Sequence, residues 1–250
     1  MSTAPGNRLR VHAVIQARMG STRQPGKVLR DLGGRPVLDW VVRAAQAAGA
    51  VDRVIVATST DPGDDPVADR ADRLEVAVVR GSEQDVLARF VQAIDEFPCE
   101  AVVRLTADCP LLDPELIAAV VAAWRADPAL DYVSTTLTRT LPRGLDVELA
   151  GADALRLLAG TTKGHDRSHV TSGLYADPGR FRLKGLTVEL PGDDLRVTLD
   201  TVEDGAALDS LVQVLGDRPP SWREVVQVLR ARPDIVALNE HVQQKALEAG

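Results

Sequence analysis

The sequence predicts an α/β fold with a mostly parallel central sheet, and three observations carry that prediction. Apolar runs of strand length alternate with longer stretches of helical period, the pattern of parallel strands joined by crossover helices. The first run, residues 11–17, is predominantly apolar rather than strictly alternating, as suits a strand buried on both faces. A glycine-containing basic loop follows that run, and Asp108 follows a later one, so both fall beyond the carboxyl ends of strands, where open α/β sheets bind ligands.

The elements follow in order. Residues 11–17 form the first strand, and Pro36 opens a helix over residues 36–50, where its fixed φ suits the first turn. Residues 54–58 form a second strand that ends in the turn T-S-T-D-P-G-D-D-P, and residues 74–79 a third. Ser82 caps the next helix, which runs to about residue 97, with Asp85 three residues on completing a box-like start. Residues 101–106 form a strand whose carboxyl end meets Asp108, and residues 114–127 a helix that Asp113 starts. From about 130 to 190 the pattern breaks into shorter pieces, with strands around D-Y-V-S-T and L-D-V-E-L and a helix around His169, which reads as an insertion. Residues 196–199 return to a core strand ending at Asp200, Asp204 starts a helix, and the remainder is helical, including S-W-R-E-V-V-Q-V-L and I-V-A-L-N-E-H-V. A disordered tail over residues 1–8 thus precedes one domain over 9–250, with an inserted lobe at about 130–190 and C-terminal helices at about 220–250.

Composition excludes several function classes. The 250 residues are 45% hydrophobic, enough for a substantial core. Aromatic residues make up only 3% and the formal net charge is −7, so neither a base-stacking platform nor a basic surface for nucleic acid is expected. Cys99 and Cys109 lie far from metal-ligand spacing, which suits a reduced, cytoplasmic protein. The N-terminus lacks a basic-then-apolar pattern and no apolar run spans a bilayer, so neither export nor a membrane partner is expected.

The positive charge that does exist is local. Residues 8–43 hold eight basic residues against two acidic ones, Asp31 and Asp39. Arg18, Arg23 and Lys27 fall in one turn with Gly20, Pro25 and Gly26, which suits one highly anionic small ligand such as a polyphosphate. It is not a Walker A loop: five residues rather than four separate the two glycines, and Val28 stands where a Ser or Thr would bind magnesium. As a loop residue between glycines, Lys27 is expected to be solvated, with little influence on folding.

R-M-G-S-T-R-Q-P-G-K-V-L (18–29) resembles the opening signature of the cytidylyltransferases that make CMP-activated acidic sugars, most closely the branch called spore coat polysaccharide biosynthesis proteins F. Further segments similar to that family follow in its order: R-G-S-E-Q-D-V-L-A-R-F (80–90), V-V-R-L-T-A-D-C-P-L-L-D-P (102–114), R-G-L-D-V-E (143–148), R-S-H-V-T (167–171) and T-L-D-T-V-E-D (198–204). Two positions depart from the pattern: Gln24 replaces a usual Leu, and Ser168 replaces an acidic residue. The resemblance implies a Rossmann-like nucleotidyltransferase fold of the GT-A type, a three-layer sandwich whose inserted β/α lobe serves dimerisation and acceptor binding, and a homodimer.

It also implies a site. CTP would contact Ala17, Arg18, Met19, Gly20, Ser21, Arg23 and Lys27 with its phosphates, and Arg80, Ser82, Asp85 and Arg104 with its base and ribose. Arg143, Asp146, Glu148, Arg167 and His169 would face a small acidic acceptor, whose carboxylate a guanidinium binds in a forked manner. Read alone, Asp108 and Asp200 suit turns or caps as well as metals; the resemblance implies that they hold Mg²⁺ against the triphosphate, with catalysis resting on Arg18, Lys27 and these two acids. His169 alone suits packing, Arg80 a surface position and Ser82 a cap. Two other readings stay open: a sugar-phosphate or phosphonate nucleotidyltransferase of the same fold, and a glycosyltransferase or nucleotide-sugar binding protein, though T-A-D-C-P supplies one acid where a D-x-D pair is usual.

Overall fold

A computed structural model describes residues 8–164 and 166–243. The expected tail lies outside them apart from Arg8, as do residues 244–250. The described chain runs β1 (Val11–Gln16), β2 (Asp31–Leu32), β3 (Arg35–Pro36), α1 (Val37–Ala47), β4 (Arg53–Ser59), α2 (Asp65–Arg73), β5 (Ala77–Gly81), α3 (Val86–Glu96), β6 (Ala101–Thr106) and α4 (Pro114–Ala126). It continues through β7 (Tyr132–Ser134), β8 (Glu148–Gly151), α5 (Ala152–Thr161), α6 (Asp166–His169), α7 (Ser172–Ala176), β9 (Leu183–Gly185), α8 (Val202–Leu215), α9 (Trp222–Ala231) and α10 (Pro233–Val236).

Seven strands form one sheet in the order β5-β4-β1-β6-β8-β7-β9. Every pairing is parallel except the two that β8 makes, so β8 alone runs against the rest. The chain builds leftward from β1 to β4 and β5 and then returns to add β6 on the other side. That reversal opens a crevice between the carboxyl ends of β1 and β6. The short strands of the 130–190 segment extend the same sheet beyond β6.

Alternation along the strands divides the core into two layers. Val11, Ala13 and Ile15 of β1 pack with Trp40, Ile117, Leu208 and Val225 from α1, α4, α8 and α9. Val14 points the other way, into a layer with Leu87 and Phe90 of α3 and Leu155 of α5. Both faces of β1 are thereby dry, which is why its sequence reads as a nearly continuous apolar run. Each fully buried side chain of this size contributes about 1.5–3 kcal/mol.

Several boundaries differ from the sequence reading. Helix α2 was not expected: it buries only Val67, Ala68 and Ala71, too few and too small for a periodic signal. It also takes up Leu74's neighbourhood, so β5 starts at Ala77. Helix α3 is capped by Asp85, whose carboxylate accepts from Ala88 N at 2.9 Å, rather than by Ser82, whose hydroxyl accepts from Asp85 N. Asp113 and Asp204 do start helices, Asp113 as N-cap of α4 and Asp204 within a capping box with Thr201. Residues 196–199 do not join the sheet as a strand. They lie extended against a loop, with Val197 N donating to Arg143 O and Leu199 N to Asp108 O. After α10 the chain continues in turns through residue 241 rather than as helix.

The approach of residues 143–146 to 196–199 requires glycine at position 144. Its φ is +103°, and a Cβ there would lie 2.6 Å from both Thr198 N and Val197 C.

Candidate active site

The basic loop leaves β1 at Ala17, whose N–H donates to Ala57 O and extends the sheet by one bond. The loop then folds back on itself: Gly26, at φ +72°, donates from its N–H to Met19 O at 2.9 Å. A 3-10 turn, Lys27–Leu29, follows directly. Only a residue free to adopt positive φ lets this reversal aim Lys27 inward. The loop forms one wall of a cleft of about 1010 Å³. The end of β6, Glu83, Gln84, Val86 and Arg89 around the start of α3, the 136–148 segment, Gly164 with the 168–175 segment, and Thr198 and Asp200 supply the others.

Lys27 reaches across the cleft floor. Its ammonium donates to Asp108 Oδ2 at 2.7 Å, Asp200 Oδ1 at 2.8 Å and Leu199 O at 2.8 Å. The side chain is only 11% exposed, so the expectation of a solvated lysine is corrected. The loop is closed by its own hydrogen bonds and carries the lysine into the interior. Burial alone would lower the Lys27 pKa, but the two carboxylates raise it above the ordinary value. Burial would likewise raise Asp200, yet Lys27, Arg23 and Arg196 hold it below the carboxylate range. Arg23 lies 2.9 Å from Asp200 Oδ2. Arg196 bonds both Asp200 and the wholly buried Asp204, anchoring the segment that carries Asp200.

At the opposite end, Glu148 is the centre of a buried network. It pairs with Arg104, accepts from the Tyr132 hydroxyl, and accepts from Thr171 Oγ1 at 2.9 Å. Arg104 also donates to Gln16 Oε1 at 3.0 Å. Burial pulls the Arg104 pKa down, and Glu148 lifts it above the ordinary value. Burial and Glu148 together push the Tyr132 phenol well up. Asp146 is held in a forked pair by Arg139 at 2.6 and 3.1 Å. Arg143 lines the cleft nearby, and burial followed by repulsion from Arg139 lowers its pKa.

The structure therefore gathers Ala17, Arg18, Gly20, Ser21, Arg23, Lys27, Arg104, Asp108, Arg143, Asp146, Glu148, His169 and Asp200 around one cleft. It does not bring Met19, Arg80, Ser82, Asp85 or Arg167 to the cleft wall. Met19 N bonds Asp64 Oδ1. Arg80 donates to Ser59 O and Asp61 O and pairs with Asp65. Arg167 pairs with Asp85 and donates to Ala159 O and Thr162 O, tying α6 to the start of α3. Among the described residues no cluster of three or more His, Cys, Asp and Glu side chains is arranged to hold a metal ion. Both cysteines are buried free thiols, Cys109 at the cleft. Sequence reasoning missed Arg139 and Arg89 as cleft residues. Arg89 lies inside the quoted 80–90 motif, whereas nothing in L-T-R-T marks Arg139.

Residues 12–144 match the family described as cytidylyltransferase. The chain is similar to the spore coat polysaccharide biosynthesis protein SpsF of Bacillus subtilis (strain 168), 34% identical over 236 residues, which cover 91% of this chain and 97% of that protein. Its structure is similar to that of a cytidylyltransferase from Leptospira borgpetersenii serovar Hardjo-bovis (strain JB197), with a TM-score of 0.89 and 26% identity, over 96% of this chain and 100% of that one. The CMP:2-keto-3-deoxy-manno-octonic acid synthetase solved in complex with CTP shares the fold, with a TM-score of 0.64 and 20% identity over 82% of this chain and 99% of that one.

Proposed function

The chain belongs to the cytidylyltransferase family, and we propose that it transfers CMP from CTP to a small acidic sugar, with release of pyrophosphate, in polysaccharide or natural-product biosynthesis. The observation that carries this reading is the convergence of Lys27, Asp108 and Asp200 at the mouth of a basic, glycine-closed loop. Nucleotidyl transfer needs little covalent help from protein, so positioning and charge neutralisation carry most of the acceleration. Arg18, half exposed and only loosely paired with Glu83 at 3.8 Å, is available to the phosphates, and Arg23 and Lys27, which pair with Asp200, would exchange that partner for them. Ala17, Met19, Gly20 and Ser21 shape the backbone that receives them.

Asp108 and Asp200 are the residues that would hold Mg²⁺. Two carboxylates that meet one positive charge, Lys27 Nζ, would with phosphate oxygens and water give a donor set that magnesium accepts once that ammonium turns to the phosphates. When bound, the ion would polarise the α-phosphate. Lys27 then serves the phosphates, and the attacking acceptor hydroxyl approaches from the side of Arg143, Asp146, Glu148 and His169. Arg104 faces the nucleoside. Arg80, Ser82, Asp85 and Arg167 act through the backbone they hold around the start of α3. One domain over 9–250, cytoplasmic, with two copies paired through the 130–190 segment, completes the reading.

A pyrophosphate-release screen tests it: the four ribonucleoside triphosphates and dTTP, each with nonulosonic acids, sugar phosphates and small phosphonates. Turnover with CTP and an acidic sugar is expected. Turnover with another triphosphate, or only with a phosphorylated acceptor, would overturn it. Light scattering that shows a monomer at micromolar concentration would remove the dimer alone.

A further inference from the structure

Among the described residues that line the cleft, Arg89 is the one with buried side-chain nitrogens that lack a hydrogen-bond partner. It sits one turn into α3 between Val86 and Phe90, both in the core, and it is only 2% exposed. It nevertheless lines the cleft, and Nε and Nη1 of its guanidinium are buried with no hydrogen-bond partner among the described residues. A buried arginine is rarely left unpaired, because its desolvation goes uncompensated. Its neighbouring acids are engaged elsewhere. Asp64 accepts from Met19 N and from Ser59; Asp85 caps α3 and pairs with Arg167; Glu83 faces Arg18. The position is also built to hold this side chain: a Cβ at Gly81 would lie 2.9 Å from Arg89 Cγ, so glycine there leaves room for the stem.

We propose that Arg89 is a specificity-determining residue of the nucleotide pocket, donating from its guanidinium to the N3 and O2 acceptors of a cytosine ring. The proposal rests on the reading of the cleft as a CTP site. A guanidinium presents paired donors in one plane, and cytosine presents two adjacent acceptors on one edge. Uracil carries N3–H in place of an acceptor and would leave a donor facing a donor, a mismatch that a buried site rejects strongly. A ring is favoured over a phosphate by the surroundings of the side chain. Arg89 is 2% exposed and its helix neighbours Val86, Leu87 and Phe90 lie in an apolar layer, while Arg18 of the basic loop is half exposed and suited to an anion.

The test uses calorimetric titration of the whole chain with CTP, UTP and 3-deazacytidine triphosphate, in which a C–H replaces N3. Loss of a hydrogen bond to a charged donor should weaken 3-deazacytidine triphosphate about 10-fold to 100-fold relative to CTP, with UTP weakened as much or more. Arg89→Lys and Arg89→Met should weaken CTP by a similar factor and erase the difference between CTP and its 3-deaza analogue, while inorganic tripolyphosphate binds as in the unaltered protein. Equal binding of CTP and the analogue by the unaltered protein overturns the proposal whether or not the variants fold. Parallel loss of tripolyphosphate and CTP in the variants overturns it in favour of a phosphate contact. Failure of the unaltered protein to bind CTP at all overturns the CTP reading itself, and this proposal with it.

Discussion

Nζ of Lys27 donates to Oδ1 of Asp200 at 2.8 Å across 173 residues of sequence. The bond joins the first loop of the sheet to the last extended segment, and both side chains are 11% exposed. Lys27→Met removes the cation that bridges Asp108 and Asp200, leaving Asp200 with Arg23 and Arg196. Removing one partner of such a buried cluster costs about 2–4 kcal/mol, slightly below the fully buried case. In a chain of this size that corresponds to a Tm lower by roughly 5–15 °C. Thermal unfolding by circular dichroism checks this, and an unchanged Tm would show that the pair is as weak as a surface bridge. Pyrophosphate release should fall with it, beyond what unfolding explains at a temperature where the variant is folded.

Asp108→Asn and Asp200→Asn each keep side-chain size and a carbonyl ligand while removing a negative charge. If the two acids act as a unit on one ion, each single change should remove most Mg²⁺-dependent turnover, and the double change should cost little beyond the worse single one. Rates of pyrophosphate release for the two singles and the double decide it. Fully multiplicative losses would mean that the acids act separately.

The folded protein holds Asp200 and Asp204 below their ordinary values: burial opposes this, but Lys27, Arg23 and Arg196 overcome it for Asp200, and Arg196 and Asn239 for Asp204. A depressed carboxylate contributes stability above its unfolded value, about 3.9, and that contribution is lost as pH falls through the lower folded value. Lys27 is raised, so its contribution is complete below about 10.4 and is lost only as pH climbs past that. Urea unfolding should therefore give a plateau across neutral pH and a decline below about pH 4. Asp204→Asn should lower the plateau and flatten the acid decline; an unchanged slope would remove Asp204 from the account.

Gly144→Ala forces a Cβ to within 2.6 Å of Thr198 N at a φ of +103°. Strain and backbone collision together should cost roughly 2–4 kcal/mol. The segment bearing Asp200 would have to retreat, so turnover should drop more than the loss of folded protein. A variant of native Tm and native rate would show that the two segments separate freely.

Much of this was legible in the sequence because it depends on local pattern. The dry run of β1, the helix starts at Asp113 and Asp204, and the glycine-flanked basic turn are all written within a few residues. What escaped depends on distant partners. Nothing near Lys27 says that it is buried, since the groups that bury it are 81 and 173 residues away. Residues 196–199 have strand composition, but the neighbour they meet is a loop, so the ladder never forms. Helix α2 is held by three small side chains and escaped for want of apolar contrast. Arg89 reads as a polar position on an amphipathic helix until the cleft beside it is seen.

The sheet from β5 to β6 uses residues 11–106, whereas Asp200 reaches the cleft only when residues 196–199 dock on Arg143 and Asp108. During synthesis on the ribosome, a nascent chain can therefore assemble the parallel sheet and the basic loop long before Asp200 has been translated. Until that segment arrives, Lys27 can be met by Asp108 alone. On the proposed reading, in which Asp108 and Asp200 together hold the metal ion, a product cut short of residue 200 would carry the basic loop with only half of that carboxylate pair.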